Sequence, residues 1–391
     1  MSDKLVYLDV AGRMHSLYEL LLSHPPDGYR VVAKATNWDR ALSVATRVNG
    51  IYLFQERVLG KLIPVNLAKA YLERFKRLPQ GTALTYAAGH LVFRKEPWVV
   101  DMEFVTQLAG YSAEHFKRYR RLIERTLASD YCRRIICWTE AGKKTVLENM
   151  NCEGFKDKVE VVRLSVPKKD FIKDYDAGKV KLLFVGSSNI PGEFEYKGGI
   201  EALKAFVLLS QKYSNLEMVI RSDVPPEIKE KYKVLSNLRI IDTVIPWAEL
   251  EHEFKSADIF LFPTHSTPGL AILDAMSYEL PVVTTDVWAN PEMVEDGKTG
   301  FLVEKSRRVK YYAENFIPVW NYQPGSNFMK SVANTDPRVV EELVVKTGRL
   351  IEDRELRKKM GKAGRQVVEK GRFSIEKRNE QLKRIFDECS G

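Results

Sequence analysis

The sequence predicts an α/β chain of two doubly wound, Rossmann-like domains. Three observations carry this. Short β-rich apolar runs alternate with amphipathic helical stretches along the whole chain, the signature of parallel strands joined by crossover helices. The alternation starts afresh at KLLFVGSS, after a polar joint at 162–171, VRLSVPKKDF. At 391 residues with 45% hydrophobic side chains, the chain can fill two cores of ordinary size.

In chain order, the first cycle opens with the strand KLVYLDV and the helical pattern HSLYELLLSH. The runs YRVVAKA, IYLFQ, ALTYAAG and WVVDMEF then read as strands, a basic helix spans Ala113 to Ser129, and RIICWT is a further strand. The second cycle runs through LEMVIRS, LRIIDTV, DIFLFPT and PVVTTD, each followed by a helical pattern. Neither opening strand is followed by GxGxxG. Val10-Ala11-Gly12-Arg13 and Gly186-Ser187-Ser188 stand there instead, which argues against a dinucleotide-dependent dehydrogenase. Residues 304–336 break the rhythm with aromatic and Pro/Gly-rich sequence and read as an insertion or long loop suited to a lid. Helical periodicity returns from Asp336 to Gly371, and RFSIEKRNEQLKRIFDE closes the chain as one amphipathic helix. The expected domains are 1–170, 171–371 and a closing helix at 372–391.

Composition narrows the function. Cys132, Cys137, Cys152 and Cys389 form no CxxC pair and no metal-ligand spacing with the six histidines, so neither a zinc site nor a disulfide framework is expected. No apolar window reaches the length of a membrane span, and MSDKLVYLDV does not read as a secretory leader, so the expected location is cytoplasmic. The net charge of +9 is uneven: residues 1–170 hold 28 basic against 19 acidic residues, and the remaining 33 of each sign balance. The excess clusters in LGKLIPVNLAKAYLERFKRL and HFKRYRRLIERTLASDYCRR, two amphipathic helical patterns with basic faces. Such faces suit an anionic membrane surface about as well as plain solvent. Nucleic acid is not the expected partner, because no recognised binding motif accompanies the charge.

Ligands of open α/β sheets bind beyond the carboxyl ends of the strands, so the loops there carry the chemistry. Three loops of the second half fit one anionic ligand. In GSSNIPGEFEYKGGIEALKAF, Lys197 and two glycines open a helix, a pairing suited to phosphate. In HSTPGLAILDAM, Thr267 is the expected N-cap and Pro268 the first helical residue, Gly269 leaves room for an anion, and Asp274 offers a carboxylate to vicinal hydroxyls. Arg221 ends LEMVIR and is a third candidate cation.

Together these loops describe a diphosphate held by a lysine and a helix start, with a carboxylate near a ribose. This resembles the donor-binding domain of the retaining family 4 glycosyltransferases (glycosyl transferases group 1) of the GT-B fold. The resemblance runs from about Lys181 to the C-terminus and is carried by ADIFLFPT, by GLAILDAMSYELPVVTTD and by EDGKTGFLV. It implies two Rossmann-like domains facing each other across a cleft, with the last helix crossing back to the first. It also implies sugar transfer from a nucleotide diphosphate donor to a glycan or lipid-linked acceptor, with retention and without metal or other cofactor.

Carried over by position, Lys197 matches the diphosphate lysine, Gly269 and Leu270 the phosphate-binding amides, and Asp274 the ribose carboxylate. Val244 and Ile245 fall in the nucleobase slot, and Gly12 in the loop beneath the transferred sugar. Glu103 lies near the place of the N-terminal domain's catalytic histidine. The sequence departs from the family pattern at Ser266 and Asp274, where a Glu pair is usual, and at Ser187, where an arginine is usual, leaving Arg221 to replace it. The expected catalytic set is Lys197, Ser266 and Glu103, with His90 and His15 as nearby histidines. Two alternatives stay open: a nucleotide-sugar or glycan binding protein without turnover, and a GT-B nucleotide-sugar epimerase.

Overall fold

The computed structural model describes residues 3–10, 14–33, 64–175, 178–187 and 190–390. They form two compact units, one of Met1–Leu164, Glu314–Ile317 and Ile375–Gly391, the other of Ser165–Ala313 and Pro318–Ser374. The division thus falls at 164/165 and 374/375.

Among the described residues, unit 1 is built on six parallel strands, β1 (Lys4–Val10), β2 (Tyr29–Ala33), β3 (Thr82–Ala88), β4 (Trp98–Met102), β5 (Cys132–Cys137) and β6 (Val159–Val161), in the order β2-β1-β3-β4-β5-β6. β1 and β4 are buried on both faces, which is why KLVYLDV and WVVDM read as continuous apolar runs rather than as alternation. The described helices are α1 (Ser16–Ser23), α2 (Val65–Leu72), α3 (Ala113–Ala128) and α4 (Glu140–Asn149). Ser112 and Thr139 cap α3 and α4 by accepting from His115 N and Gly142 N at 3.1 and 2.9 Å. Phe116, Ile123 and Leu127 of α3 enter the core, and its charges stay outside. The expected strand IYLFQ lies outside the described residues. The short β6 was not foreseen, because VEV carries only three residues of pattern.

Unit 2 holds β7 (Val180–Val185), β8 (Leu216–Arg221), β9 (Leu238–Ile241), β10 (Ile259–Phe262), β11 (Val282–Thr285) and β12 (Gly300–Val303), all parallel, in the order β12-β11-β10-β7-β8-β9. Between them run α5 (Glu193–Tyr196), α6 (Gly199–Lys212), α7 (Pro226–Tyr232), α8 (Trp247–Ser256), α9 (Ala271–Ser277) and α10 (Asn290–Met293). After the insertion come α11 (Asn327–Ala333), α12 (Pro337–Glu352) and α13 (Arg354–Glu369). The sequence hid β12 behind a turn-like KTG. Gly300 is required there, since a Cβ would stand 2.0 Å from Val282 O on β11. Within 304–336, a turn of 3₁₀ helix (Glu314–Phe316) lies with unit 1, and α11, capped by Ser326, lies with unit 2.

The last helix, α14 (Ile375–Cys389), starts three residues later than expected from Arg372 and completes unit 1. Phe386 meets the rings of Tyr29 and Tyr86 edge-on at 5.2 and 6.2 Å, and Arg378 donates to His24 O at 2.7 Å.

Candidate functional site

In unit 2 the strand order reverses between β7 and β10, whose chains leave to opposite sides of the sheet. That switch point is where open α/β sheets take ligands. The loops after both strands meet there. After α5, Lys197 is followed by Gly198 in the left-handed region (φ 81°), and α6 begins. Gly198 lies so close to β10 that a Cβ would come within 2.1 Å of Pro263 O. This contact seats Lys197 over the loop after β10: its ammonium donates to Thr267 O and lies 5.5 Å from the Tyr196 ring centroid.

The loop 263–270 is held from inside. His265 N donates to Tyr196 O at 2.9 Å, Ser266 N to Thr264 Oγ1 at 3.1 Å, and Thr285 Oγ1 to Thr264 O. Ser266 is fully buried, its hydroxyl 3.5 Å from Thr264 Oγ1.

The helix start differs from expectation. Thr267 is not the cap and Pro268 is not helical: Gly269 takes φ 59°, and α9 begins at Ala271, with Leu270 at the N-cap position and no side-chain cap. A left-handed residue cannot continue a right-handed helix, so the first helical bond runs from Asp274 N to Leu270 O at 2.8 Å. The amides of Gly269, Leu270 and Ala271 lie ahead of that bond. Space opens beside Gly269, where an added Cβ would meet nothing within 4 Å. Asp274 is half-buried. Desolvation pushes its carboxyl up to about 6, with Lys169 pulling the other way.

Arg221 ends β8 beside β7 and donates from Nη1 to Gly186 O at 2.6 Å, while burial lowers its pKa. It thus stands against the Gly186-Ser187 turn. Ser187 N donates to Glu193 Oε2 at 3.0 Å, and its carbonyl accepts from Asp223 N at 2.9 Å. Val244 and Ile245 follow β9. Val244 is 69% exposed and Trp247, at the start of α8, 50% exposed, so the segment presents apolar surface beyond the end of β9.

Sequence reasoning missed a buried chain beside this loop. His265 places Nε2 3.0 Å from Glu201 Oε1 on α6 and Nδ1 2.9 Å from the hydroxyl of Tyr311 in the insertion. All three are buried. The partners are 64 and 46 residues from His265 in sequence, so no spacing could have signalled them.

In unit 1 the corresponding reversal lies between β1 and β3. Asp9, near the end of β1, is buried and pairs with Arg94 at 2.9 Å. His90 Nε2 stands 3.8 Å away and Lys76 Nζ 3.9 Å away. Among the described residues, Asp9, Glu73 and His90 are a group close enough to share a metal ion, but Arg94 and Lys76 already supply the positive charge that an ion would bring. Burial pushes the Asp9 carboxyl up, but His90 first, then Arg94 and Lys76, hold it well below the usual range. His15 caps α1 by accepting from Leu17 N at 3.2 Å. Glu103 follows β4, half-buried, and its N–H donates to Gln107 Oε1 at 2.7 Å. Gly12 lies outside the described residues. Asp101 on β4 is a densely bonded carboxylate, accepting from Tyr18, Tyr86, Gly89 N and Trp138.

Comparison with known proteins agrees with this geometry. Residues 179–320 match the family model described as glycosyl transferases group 1, a span that includes the switch point of unit 2. A sulfoquinovosyl transferase (SQD2) of Arabidopsis thaliana is 34% identical over 126 residues, 31% of this chain and 18% of its own length. The capsular polysaccharide biosynthesis glycosyltransferase CapM of Staphylococcus aureus is 25% identical over 195 residues, 49% of this chain and 43% of its own. The chain thus spans less than half the length of either relative. Among solved structures, Anabaena HepE in complex with UDP-glucose superposes with a TM-score of 0.58 at 16% identity, covering 98% of this chain and 99% of its own. WaaG, a glycosyltransferase involved in lipopolysaccharide biosynthesis, gives 0.56 at 14%, covering 99% and 100%. At these identities the structural likeness is one of fold. The chain therefore has the two-domain GT-B fold of these structures, and its second unit is similar, over residues 179–320, to the glycosyl transferases group 1 family.

Proposed function

We propose that this protein is a glycosyltransferase that takes a sugar from a nucleotide diphosphate donor held at the switch point of unit 2. One observation carries the reading: Lys197, the amides from Gly269 to Ala271 and the open space beside Gly269 converge on one loop, with the Asp274 carboxylate one turn further on. Cleaving a sugar–phosphate bond puts negative charge on the departing diphosphate, and donors already aimed at that charge lower the barrier most. Lys197, Arg221 and the loop amides supply such donors from the protein itself, so transfer without a metal ion follows from this reading. Retention at the anomeric carbon is part of the proposal through the family alone. Val244, Ile245 and the exposed Trp247 offer apolar surface to a nucleobase.

The test is a thermal-shift panel of UDP, GDP and ADP with their sugars at about 1 mM. A ligand at about 100 times its dissociation constant adds roughly 2.7 kcal/mol to stability, which is a visible rise. One nucleotide is expected to stabilise the wild type, and Lys197→Ala is expected to abolish the rise. Repeated from pH 5 to 8, the affinity should climb through about pH 6 as Asp274 ionises and can accept from ribose hydroxyls, and Asp274→Asn should flatten that climb. No shift with any nucleotide would sink the reading. A shift without donor hydrolysis or transfer would favour the binding-protein alternative, which the buried, uncharged Ser266 hydroxyl supports.

The acceptor is proposed to be a glycan or lipid-linked sugar reached at an anionic membrane surface, with unit 1 as the docking side. α3 exposes Lys117, Arg118, Arg120, Arg121 and Arg125, while Tyr71, Leu72 and Phe75 expose apolar area next to Arg74. Among the described residues no helix is long and apolar enough to cross a membrane. Each basic residue near an anionic surface contributes about 1 kcal/mol. Co-sedimentation with phosphatidylglycerol vesicles but not with phosphatidylcholine is therefore expected, and Arg118→Glu with Arg121→Glu should abolish it. Equal binding to both vesicle types would exclude an electrostatic surface role.

A further inference from the structure

We propose that Tyr311 and Glu201 are positioning residues for the loop 264–270, acting through His265, so that the 304–336 insertion sets the affinity of the nucleotide site. The inference rests on the function proposed above and deepens it. His265 ties three separate segments: α6 through Glu201 at 3.0 Å, the insertion through Tyr311 at 2.9 Å, and α5 through its own backbone N–H to Tyr196 O at 2.9 Å. The three side chains are 0%, 1% and 4% exposed, so water does not compete for these bonds. A carboxylate only accepts, so Nε2–H donates to Glu201, and in that tautomer Nδ1 accepts from the Tyr311 hydroxyl.

This arrangement fixes both the ring and the residue next to Ser266, from which the loop continues to Thr267, the acceptor for Lys197, and to Gly269. α6 is the helix that starts beside Lys197. The imidazole therefore locks the spacing between the lysine side of the site and the amide side. Neither Tyr311 nor Glu201 needs to touch a ligand to do so. Glu201 Oε2 is buried without a partner, so Oε1 alone holds the imidazole, and loss of one bond of this chain should loosen the loop rather than unfold the unit.

The experiment titrates whichever of UDP, GDP and ADP stabilises the wild type, using the full chain. Tyr311→Phe removes one proton donor at constant shape and is expected to weaken nucleotide binding about tenfold, the size of one hydrogen bond. Glu201→Leu should do the same or more. Glu201→Gln keeps a carbonyl acceptor for Nε2–H and should remain within about twofold of wild type, a rescue that a packing role would not produce. Arg308→Ala is the control for a loosened insertion, since Arg308 ties its two ends together by donating to Asn334 Oδ1 at 3.0 Å and Thr335 O at 2.9 Å; its melting temperature should fall while affinity holds. If the wild type binds no nucleotide, the proposed function fails first. If the wild type binds and Tyr311→Phe binds equally well, or if Arg308→Ala weakens binding as much, the positioning role is overturned. Should Tyr311→Phe not fold, the Glu201→Leu and Glu201→Gln pair decides alone: equal affinities would refute the role.

Discussion

Asp101→Ala is expected to destabilise unit 1 by about 3–5 kcal/mol, read as a fall of roughly 10 °C in the calorimetric transition of that unit. The size follows from the number of donors left behind. Asp101 is 1% exposed, and its two oxygens take four hydrogen bonds: Oδ1 from Tyr18 O–H at 2.9 Å and Gly89 N–H at 3.1 Å, Oδ2 from Tyr86 O–H at 3.2 Å and Trp138 Nε1–H at 2.9 Å. Alanine strands three buried donors and the half-buried Trp138 N–H, at about 1–3 kcal/mol each before relaxation and water entry reduce the sum. Asparagine keeps one oxygen and turns an NH₂ against two donors, so it should recover only part of the loss.

The pH dependence of that loss has a definite sign. Burial raises the Asp101 carboxyl to about 6 although all four hydrogen bonds pull it down, while the unfolded carboxyl titrates near its ordinary 3.8. The native state therefore holds a proton that the unfolded state has released. The stabilisation from this group is fully present below about pH 4 and is lost as pH rises through about 6. The stability gap between wild type and Asp101→Ala should be wider at pH 4 than at pH 7, by on the order of 2–3 kcal/mol. A gap that widens above pH 6 would show that the four donors, not burial, control the carboxyl.

Much of the fold was legible in the sequence because the physics that forms it is local. Five of the six strands of unit 2 are β-rich runs bounded by Gly, Pro, Ser or Asp, and a parallel sheet buried on both faces needs little more than that. That Lys197 meets the loop of Gly269 was legible because the loops that follow neighbouring parallel strands gather at one edge of the sheet. β12 was not, because its first residue is a glycine chosen for close approach to β11 and not for strand propensity. The start of α9 was misplaced because Thr267 and Pro268 have the chemistry of a cap, whereas the left-handed turn at Gly269 is a choice of backbone that sequence does not display. His265 and Asp101 stayed hidden for a different reason. Their partners come from two and three separate segments, and only folding makes them neighbours. The residues that carry polar networks are thus the hardest to read, and they include the hydrogen bonds that fix the loop of the candidate site.

Gly198→Ala and Gly269→Ala should separate those two kinds of information, because both glycines are left-handed and only one is crowded. At Gly198 the conformational cost of about 1–2 kcal/mol for φ 81° is the smaller part. The new methyl would meet Pro263 O at 2.1 Å and Pro263 C at 2.6 Å, and these are backbone atoms at the end of β10 that cannot swing aside like a side chain. Relief requires α6 and β10 to part by about an ångström, and tight packing around Phe194, Phe206 and Phe262 opposes that movement. A loss of about 3–5 kcal/mol is expected, in the range reserved for strain at a special backbone position combined with overpacking. Because the same displacement moves Lys197 away from Thr267 O, nucleotide-induced stabilisation should vanish together with the stability. At Gly269 the cost is the φ of 59° alone, since a methyl there meets nothing within 4 Å. Its melting temperature should fall by only about 2–4 °C, for roughly 1 kcal/mol. The added methyl points into the open space where the proposal puts the diphosphate, so nucleotide affinity should drop far more than stability does. If Gly269→Ala binds nucleotide like the wild type, the phosphate does not lie against that turn, and the convergence of Lys197 with the loop amides is a packing arrangement rather than a site.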